Sequence, residues 1–336
     1  MVTSKIKTRY NPNISKPMLG GWFDFDEWLY SIACGDGEIV TLLWQIMNEA
    51  INPNYTRKKI AILYGDGNNG KGTFQALLSN LIGFENIATL KPDQFAKEHY
   101  LSALDGKVCN IGDDISSKYL DEVSDLMSVA SGDPVQVNPK HSQTYEATYR
   151  TLCLFSANEL LRARSKATGW YRRLCIIPFN ADFNGQKERP EIKNVYLKDK
   201  RLLEYVLYQV LHLPNFDKFI EPQAVSRLVN QYKKDNDYIL SFVTDSYMIN
   251  GFHELNHIPL YVAKNELKRF LDDIGAERAD ISNFGKRIVK HLERETDNHY
   301  SLKGGKVKSE HLGVIVKHGY TADSLKKTNH GITKTD

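Results

Sequence analysis

One stretch constrains this chain more than any other: an apolar run that breaks into glycines and restarts as a helix, Ile62-Leu63-Tyr64-Gly65-Asp66-Gly67-Asn68-Asn69-Gly70-Lys71-Gly72-Thr73-Phe74. Without Cβ atoms at Gly65, Gly67 and Gly70, backbone N–H groups can converge on an anion. Lys71 adds a charge, and the following helix turns its positive end toward the same point. The spacing from Gly65 to Gly70-Lys71 fits G-x-x-x-x-G-K, the phosphate loop of nucleotide-hydrolysing proteins. Gly65, Gly67, Asn69, Gly70, Lys71, Gly72 and Thr73 are therefore the expected nucleotide-binding residues. One position departs from the rule, which wants a hydroxyl directly after the lysine to ligate Mg²⁺. Gly72 stands there, and the hydroxyl comes one residue later, at Thr73. Two roles are open to Thr73: metal ligand, or phosphate contact while waters and a carboxylate hold the ion.

Around this loop, short apolar runs at 59–64, 87–90, 107–113, 151–157 and 173–179 alternate with helical stretches. That rhythm predicts an α/β fold with a parallel sheet covered by helices. Upstream, Trp28, Leu29, Ile32, Ile39, Leu42, Leu43, Ile46 and Met47 are spaced for buried helix faces. Residues 1–57 thus read as a small N-terminal helical segment, a collar or oligomerisation element, ahead of a core at 58–232. Asp24-Phe25-Asp26 has the look of a two-metal polymerase site, but no third carboxylate or basic strand surrounds it, and Asp26 is expected to cap a helix beginning at Glu27. A charged connector at 232–237 leads to a last unit at 238–320, and the Lys-, Thr- and Asn-rich residues 321–336 are expected to fray. Cys34, Cys109, Cys153 and Cys175 lack the close spacing of a zinc site and read as buried thiols. No run approaches the ~20 apolar residues of a membrane span, and the first residues lack a signal-peptide core, so a cytoplasmic location is expected.

The ends of the other strands carry the chemistry that a phosphate loop leaves open. The run 107–111 leads into Gly112-Asp113-Asp114, two carboxylates at the carboxyl end of a buried strand, where sheet ligands bind. One can hold Mg²⁺ and the other orient a water. Asp113 is assigned to the metal and Asp114 to the water, with the reverse also consistent with the chemistry. The next strand ends in Asn158, whose carboxamide can meet a phosphate oxygen or simply form a turn. Arg172 and Arg173 lead into the last apolar run, where adjacent guanidinium groups suit an anion supplied from outside or a surface salt bridge. Between these, residues 133–149 alternate as a hairpin whose tip, Asn138-Pro139-Lys140-His141, offers a cation and a ring to a sugar-phosphate backbone.

Taken in order, the phosphate loop, Asp pair, basic hairpin, strand-end Asn and paired arginines resemble superfamily III helicases, most closely the helicase half of phage and plasmid primase-helicases. The resemblance covers residues 24–320 and is most specific over 60–180. It implies an AAA+ core, with Lys71 on the phosphates, Asp113 and Asp114 as the metal and hydrolysis pair, Asn158 as sensor and Arg173, with Arg172 second, as a finger acting on a neighbour's site. It implies that the Lys140-His141 tip grips DNA in a ring channel. The expected function is an ATP- and Mg²⁺-dependent hexameric DNA helicase or translocase, 3′→5′ on single-stranded DNA and forks, in a phage or mobile element. A primase or polymerase portion would then lie on the same or another chain. The alternative is a non-translocating, ATP-switched replication initiator.

For the last unit a winged helix is expected. A first helix carries Leu260, Leu267, Phe270 and Leu271, and a second presents Lys286, Arg287, Lys290 and Arg294 outward. Residues 303–308 would form a wing turning at Gly304-Gly305, with Lys306 at its edge. Over 282–318 eight Lys or Arg stand against four Asp or Glu, so DNA is the expected partner of this face, a protein partner the alternative. The whole chain, at a net charge of +3, is too weakly basic to argue for nucleic acid by itself.

Overall fold

A computed structural model describes the chain except residues 1–4, 53–55, 114, 116–119, 141, 162, 164–167, 275–280 and 336. Its contacts divide the chain into two units, 1–230 and 231–336. In chain order the first unit holds α1 (Phe25–Ile32), α2 (Gly37–Ala50), β1 (Ile60–Tyr64), α3 (Lys71–Ile82), β2 (Ile87–Ala88), α4 (Glu98–Leu101), β3 (Cys109–Gly112), α5 (Ser124–Ser131), β4 (Pro134–Val137), β5 (Tyr145–Thr148), β6 (Leu152–Ala157), α6 (Thr168–Arg173), β7 (Leu174–Pro178), α7 (Pro190–Asn194) and α8 (Lys200–Leu211). Next, α9 (Gln223–Asn236) runs across the division.

Five strands form one all-parallel sheet in the order β2-β3-β6-β1-β7. The strands are buried on both faces, which is why they read as continuous apolar runs rather than alternating ones. Cys109, Cys153 and Cys175 lie inside β3, β6 and β7, where burial pushes the Cys153 and Cys175 thiols up to about 12. Cys34 departs from expectation: it is exposed, at a left-handed backbone position just after α1. The hairpin expected at 133–149 is present as antiparallel β4 and β5, with Val137 opposite Tyr145.

The N-terminal helices do not stand apart. Phe25, Leu29 and Ile32 of α1 and Leu42, Leu43 and Ile46 of α2 share one hydrophobic cluster with Leu63 of β1, Phe74 and Leu78 of α3 and Val206 of α8. α1 and α2 are thus a layer of the first unit's core, because their buried faces need the sheet's helices as partners. Asp24, not Asp26, caps α1: its carboxylate accepts from the N–H groups of Asp26 at 2.8 Å and Glu27 at 3.1 Å, a contact that stabilises a helix by about 1 kcal/mol. Asp26 instead receives Tyr205 Oη at 3.1 Å, and Lys16 bridges both carboxylates at 2.6 Å each.

The second unit holds α10 (Tyr238–Phe242), β8 (His257–Pro259), α11 (Leu260–Asp273), α12 (Phe284–Thr296), β9 (His299–Gly305), α13 (Leu312–Val316), α14 (Ala322–Leu325) and β10 (Asn329–Thr335). The three strands make an antiparallel sheet in the order β8-β10-β9. Two expectations are corrected here. Residues 329–335, expected within a frayed tail, are the central strand, because their backbone pairs on both sides and Gly331 and Ile332 are buried. Gly304 and Gly305 make no turn. They end β9, and the space a side chain would need at Gly305 belongs to the His257 ring, whose Nδ1 would lie 2.5 Å from a Cβ there.

Candidate functional site

The site grows from the carboxyl end of β1. Gly65 N–H donates to Ala157 O at 3.2 Å, and a Cβ on Gly65 would lie 2.2 Å from Phe179 O, so only glycine lets the chain leave the strand here. Five residues on, Gly70 has φ +93, and a Cβ there would meet Ile32 Cγ2 at 2.9 Å. Glycine at both places lets α3 start directly beneath the loop with its first-turn N–H groups facing it.

Lys71 is only 8 % exposed. Its Nζ donates to Gly65 O at 2.5 Å, to Asp66 O at 2.6 Å and to Asn69 Oδ1 at 3.2 Å. A buried ammonium is costly unless its donors are met, and here the loop itself meets them. Anionic oxygens would compete for the same donors with the advantage of full charge. Asn69, expected to touch nucleotide, is buried, and its amide donates to Asp66 O at 2.6 Å and Phe179 O at 2.7 Å. Its side chain therefore braces the loop.

The register of the sheet lines up the other strand-end groups. Tyr64 pairs with Ala157, so Gly65 and Asn158 are the first residues past the paired ends of β1 and β6. Gly112 pairs with Phe155, and Asp113 accepts from Ser156 Oγ at 2.6 Å. Asp113, Asn158 and the phosphate loop thus share the carboxyl edge of β3, β6 and β1, the ligand-binding edge of open α/β sheets. Asp114 lies outside the described residues, as does His141. Among the described residues no cluster of three or more His, Cys, Asp or Glu forms a self-sufficient metal centre. A divalent ion here would share its coordination among Asp113, Thr73, water and phosphate, which suits Mg²⁺.

The arginines are elsewhere. Arg172 and Arg173 precede β7 at its amino end, where Leu174 pairs with Ile60, whereas the loop follows β1 at the other end. One strand length, about 17 Å, separates the two edges. Arg173 is half-buried, donating from Nε to Ser131 Oγ at 2.7 Å and from Nη1 to Gly169 O at 2.8 Å, and burial together with neighbouring Arg172 lowers its affinity for its proton. Arg172 is exposed.

A cleft of about 630 Å³ opens against the loop, within the usual range for small-molecule sites. Residues 68–73 form one wall, Trp22 and Trp28 a second, and Phe183 with residues 187–190 and 192–194 a third. Asp113 and Asn158 do not line it. Asp24 does, and although partial burial opposes it, the hydrogen bond from Lys16 holds its carboxyl below the usual range. A glycine cradle with a buried lysine beside an aromatic wall fits a phosphate chain joined to a flat ring. The sequence reading missed this wall. Trp28 read only as part of a buried helix face, and nothing in the spacing of 187–194 tied that segment to the loop.

The hairpin is pinned at its base. Tyr149 Oη donates to Asp105 Oδ1 at 2.6 Å, and Tyr145 Oη donates to Oδ2 of the same carboxylate. Val135 and Val137 are buried, and Lys140 at the tip is exposed. In the second unit, Phe284, Ile288 and Leu292 bury one face of α12, while Lys286, Lys290 and Arg294 recur every fourth residue on its exposed face. Arg287 is not on that face. It pairs at 2.7 Å with Asp237, which is buried. Lys306 is exposed just past β9.

A family model described as a family of unknown function, DUF5906, matches residues 63–173. No curated protein matches the chain. Among solved structures, the A form apo structure of the NrS-1 C-terminal region aligns at a TM-score of 0.55 and 14 % identity, covering 96 % of this chain and 73 % of that one. The apo structure of NrS-1 C-terminal region 305–718 aligns at 0.55 and 13 %, covering 97 % and 77 %. At these identities the likeness is one of fold. A JCV helicase aligns over 63 % of this chain and 61 % of its own at a TM-score of 0.34 and 14 % identity, too low to carry an argument.

Proposed function

We propose that this chain is an ATP-hydrolysing, ring-forming motor on DNA, a helicase or translocase of phage or mobile-element replication. The observation that carries the reading is the placement of the phosphate loop and the exposed Arg172 at opposite edges of one parallel sheet. A strand length apart, they cannot serve one site within one copy. Stacked head to tail, one copy's arginine reaches the next copy's loop, and a head-to-tail contact that closes makes a ring.

In that arrangement Lys71 and the first-turn N–H groups of α3 hold the phosphates, and the ring of the nucleotide rests against Trp22, Trp28 and Phe183. Asp113 and Thr73 would hold Mg²⁺, which when bound neutralises phosphate charge. Asp114 orients the water, and Asn158 reports the terminal phosphate to β6. We assign the finger to Arg172 rather than Arg173, since Arg173 is occupied by Ser131 and Gly169. Such a residue supplies about 10³–10⁵ in rate. Lys140 and His141 would follow the DNA backbone in the channel, and Lys286, Lys290 and Lys306 would add phosphate contacts from the second unit. A hexamer and 3′→5′ travel rest on the resemblance to superfamily III helicases alone.

ATP hydrolysis with and without single-stranded DNA, read together with particle mass, tests this. The wild type should assemble and be stimulated by DNA, Lys71→Ala should be inactive, and Arg172→Ala mixed into wild-type assemblies should depress activity beyond its own share. A chain that stays single at saturating nucleotide, or a Lys71→Ala protein with normal hydrolysis, overturns the proposal.

A further inference from the structure

Gly72 occupies the place where the phosphate-loop rule puts a metal-ligating hydroxyl, and a residue distant in sequence approaches the space beside it. Outside the adjacent residues and the backbone of its own helix, the nearest atom to a Cβ built at Gly72 is Lys193 Nζ, at 3.6 Å. Lys193 is on α7, 121 positions away in sequence, and it lines the same cleft as residues 68–73. Its approach is held by the fold. Phe183 N–H donates to Asn68 O at 3.0 Å, Asn68 Nδ2 meets Asn184 Oδ1 at 2.6 Å, and Asn80 of α3 donates to Leu197 O at 2.9 Å on the far side of α7. Between these ties Ile192 packs on the core cluster. Among the described residues Lys193 makes no ion pair, and its ammonium lines the cleft together with the carboxylates of Asp24, Glu27 and Glu188.

From this we infer that Lys193 is a second phosphate-binding cation acting within the same copy, reaching over Gly72 to the phosphate that the first turn of α3 receives. The inference rests on the nucleotide reading above and deepens it. A Cβ at position 72 would stand in ordinary contact with the ammonium, so only a longer side chain there would crowd this route. The ammonium and a divalent ion then compensate overlapping phosphate charge, which makes the two partly redundant.

Binding of a fluorescent ATP analogue and of ADP, titrated in excess EDTA and again in saturating Mg²⁺, tests it without reference to turnover. Lys193→Met should weaken binding by about tenfold in EDTA, the worth of one charge-assisted contact, and by much less with Mg²⁺. Lys193→Arg should restore most of the loss. Wild-type affinity for Lys193→Met in EDTA, or an equal loss under both conditions, overturns the inference. Lys71→Met separates the two levels of the argument. If it too binds nucleotide normally, the phosphate-loop assignment fails; if it abolishes binding while Lys193→Met matches the wild type, only the role of Lys193 fails.

Discussion

Asn69 Nδ2 lies 2.7 Å from the carbonyl oxygen of Phe179, so one buried amide fastens the phosphate loop to the segment that follows β7. The same amide reaches Asp66 O at 2.6 Å and shares its oxygen with Lys71. Asn69→Ala strands these buried acceptors and should cost about 1–3 kcal/mol of stability in the first unit. Urea unfolding gives the first number and nucleotide titration the second: affinity should fall together with stability. Unchanged stability with lost affinity would show that Asn69 acts on the ligand directly instead of bracing the loop.

Asp105 receives both hairpin tyrosines, which makes it the hairpin's anchor. Tyr149 is buried, and Tyr149→Phe removes its hydrogen bond to a carboxylate; this should loosen β4 and β5 by about 1.5 kcal/mol, roughly tenfold faster amide exchange over 134–148 with no change in β1 and β6. Basal ATP hydrolysis should persist while DNA stimulation drops. Stimulation that survives a demonstrably loosened hairpin removes the DNA role from its tip.

The pair of Asp237 with Arg287 sets an acid limit on the second unit. Burial alone would raise the Asp237 carboxyl, but His291 Nε2 at 3.2 Å and Arg287 at 2.7 Å outweigh it and hold it at about 2. A carboxyl lower in the folded than in the unfolded state contributes stability that is fully present above the unfolded value and disappears as pH falls through the folded one. The contribution is on the order of 2 kcal/mol, lost between about pH 4 and about pH 2. Asp237→Asn should be less stable at neutral pH by about 3 kcal/mol, through the unpaired Arg287, and should flatten this acid dependence. Equal acid sensitivity in the variant and the wild type would remove Asp237 from the account.

Gly331 sits in the middle of β10, where a Cβ would lie 2.1 Å from Ile258 O of the neighbouring strand. Gly331→Ala should cost more than about 3 kcal/mol, and a chain ending at residue 320 should leave the second unit unfolded. Circular dichroism with limited proteolysis reads both. A protease-resistant second unit without residues 321–335 would mean that β8 and β9 hold without their centre.

The sheet was legible because strands buried on both faces have little choice of residue: Ile60 to Tyr64 and Leu152 to Ala157 are apolar nearly throughout. The strand–loop–helix at 60–82 was legible because an apolar run, closely spaced glycines and a helical pattern follow one another directly. β10 was not, since only Gly331 and Ile332 are buried in it and backbone pairing does the rest. Gly304-Gly305 read as a turn because spacing cannot show that the His257 ring needs the room. Arg287 read as outward because its partner, Asp237, lies 50 positions away. The cleft wall failed for the same reason: Trp22, Phe183 and Lys193 become neighbours only when the chain folds.

The order β8-β10-β9 also sets a timetable. During synthesis the first unit's five-stranded sheet is complete once residue 178 has emerged, whereas β8 and β9 share no ladder and wait for a partner encoded 24 positions after β9 ends. At about 5–20 residues per second that wait lasts a few seconds, with two strand edges bare. A translational pause between residues 305 and 329 would lengthen this exposure, and the nascent second unit would become the part of the molecule most prone to wrong pairing.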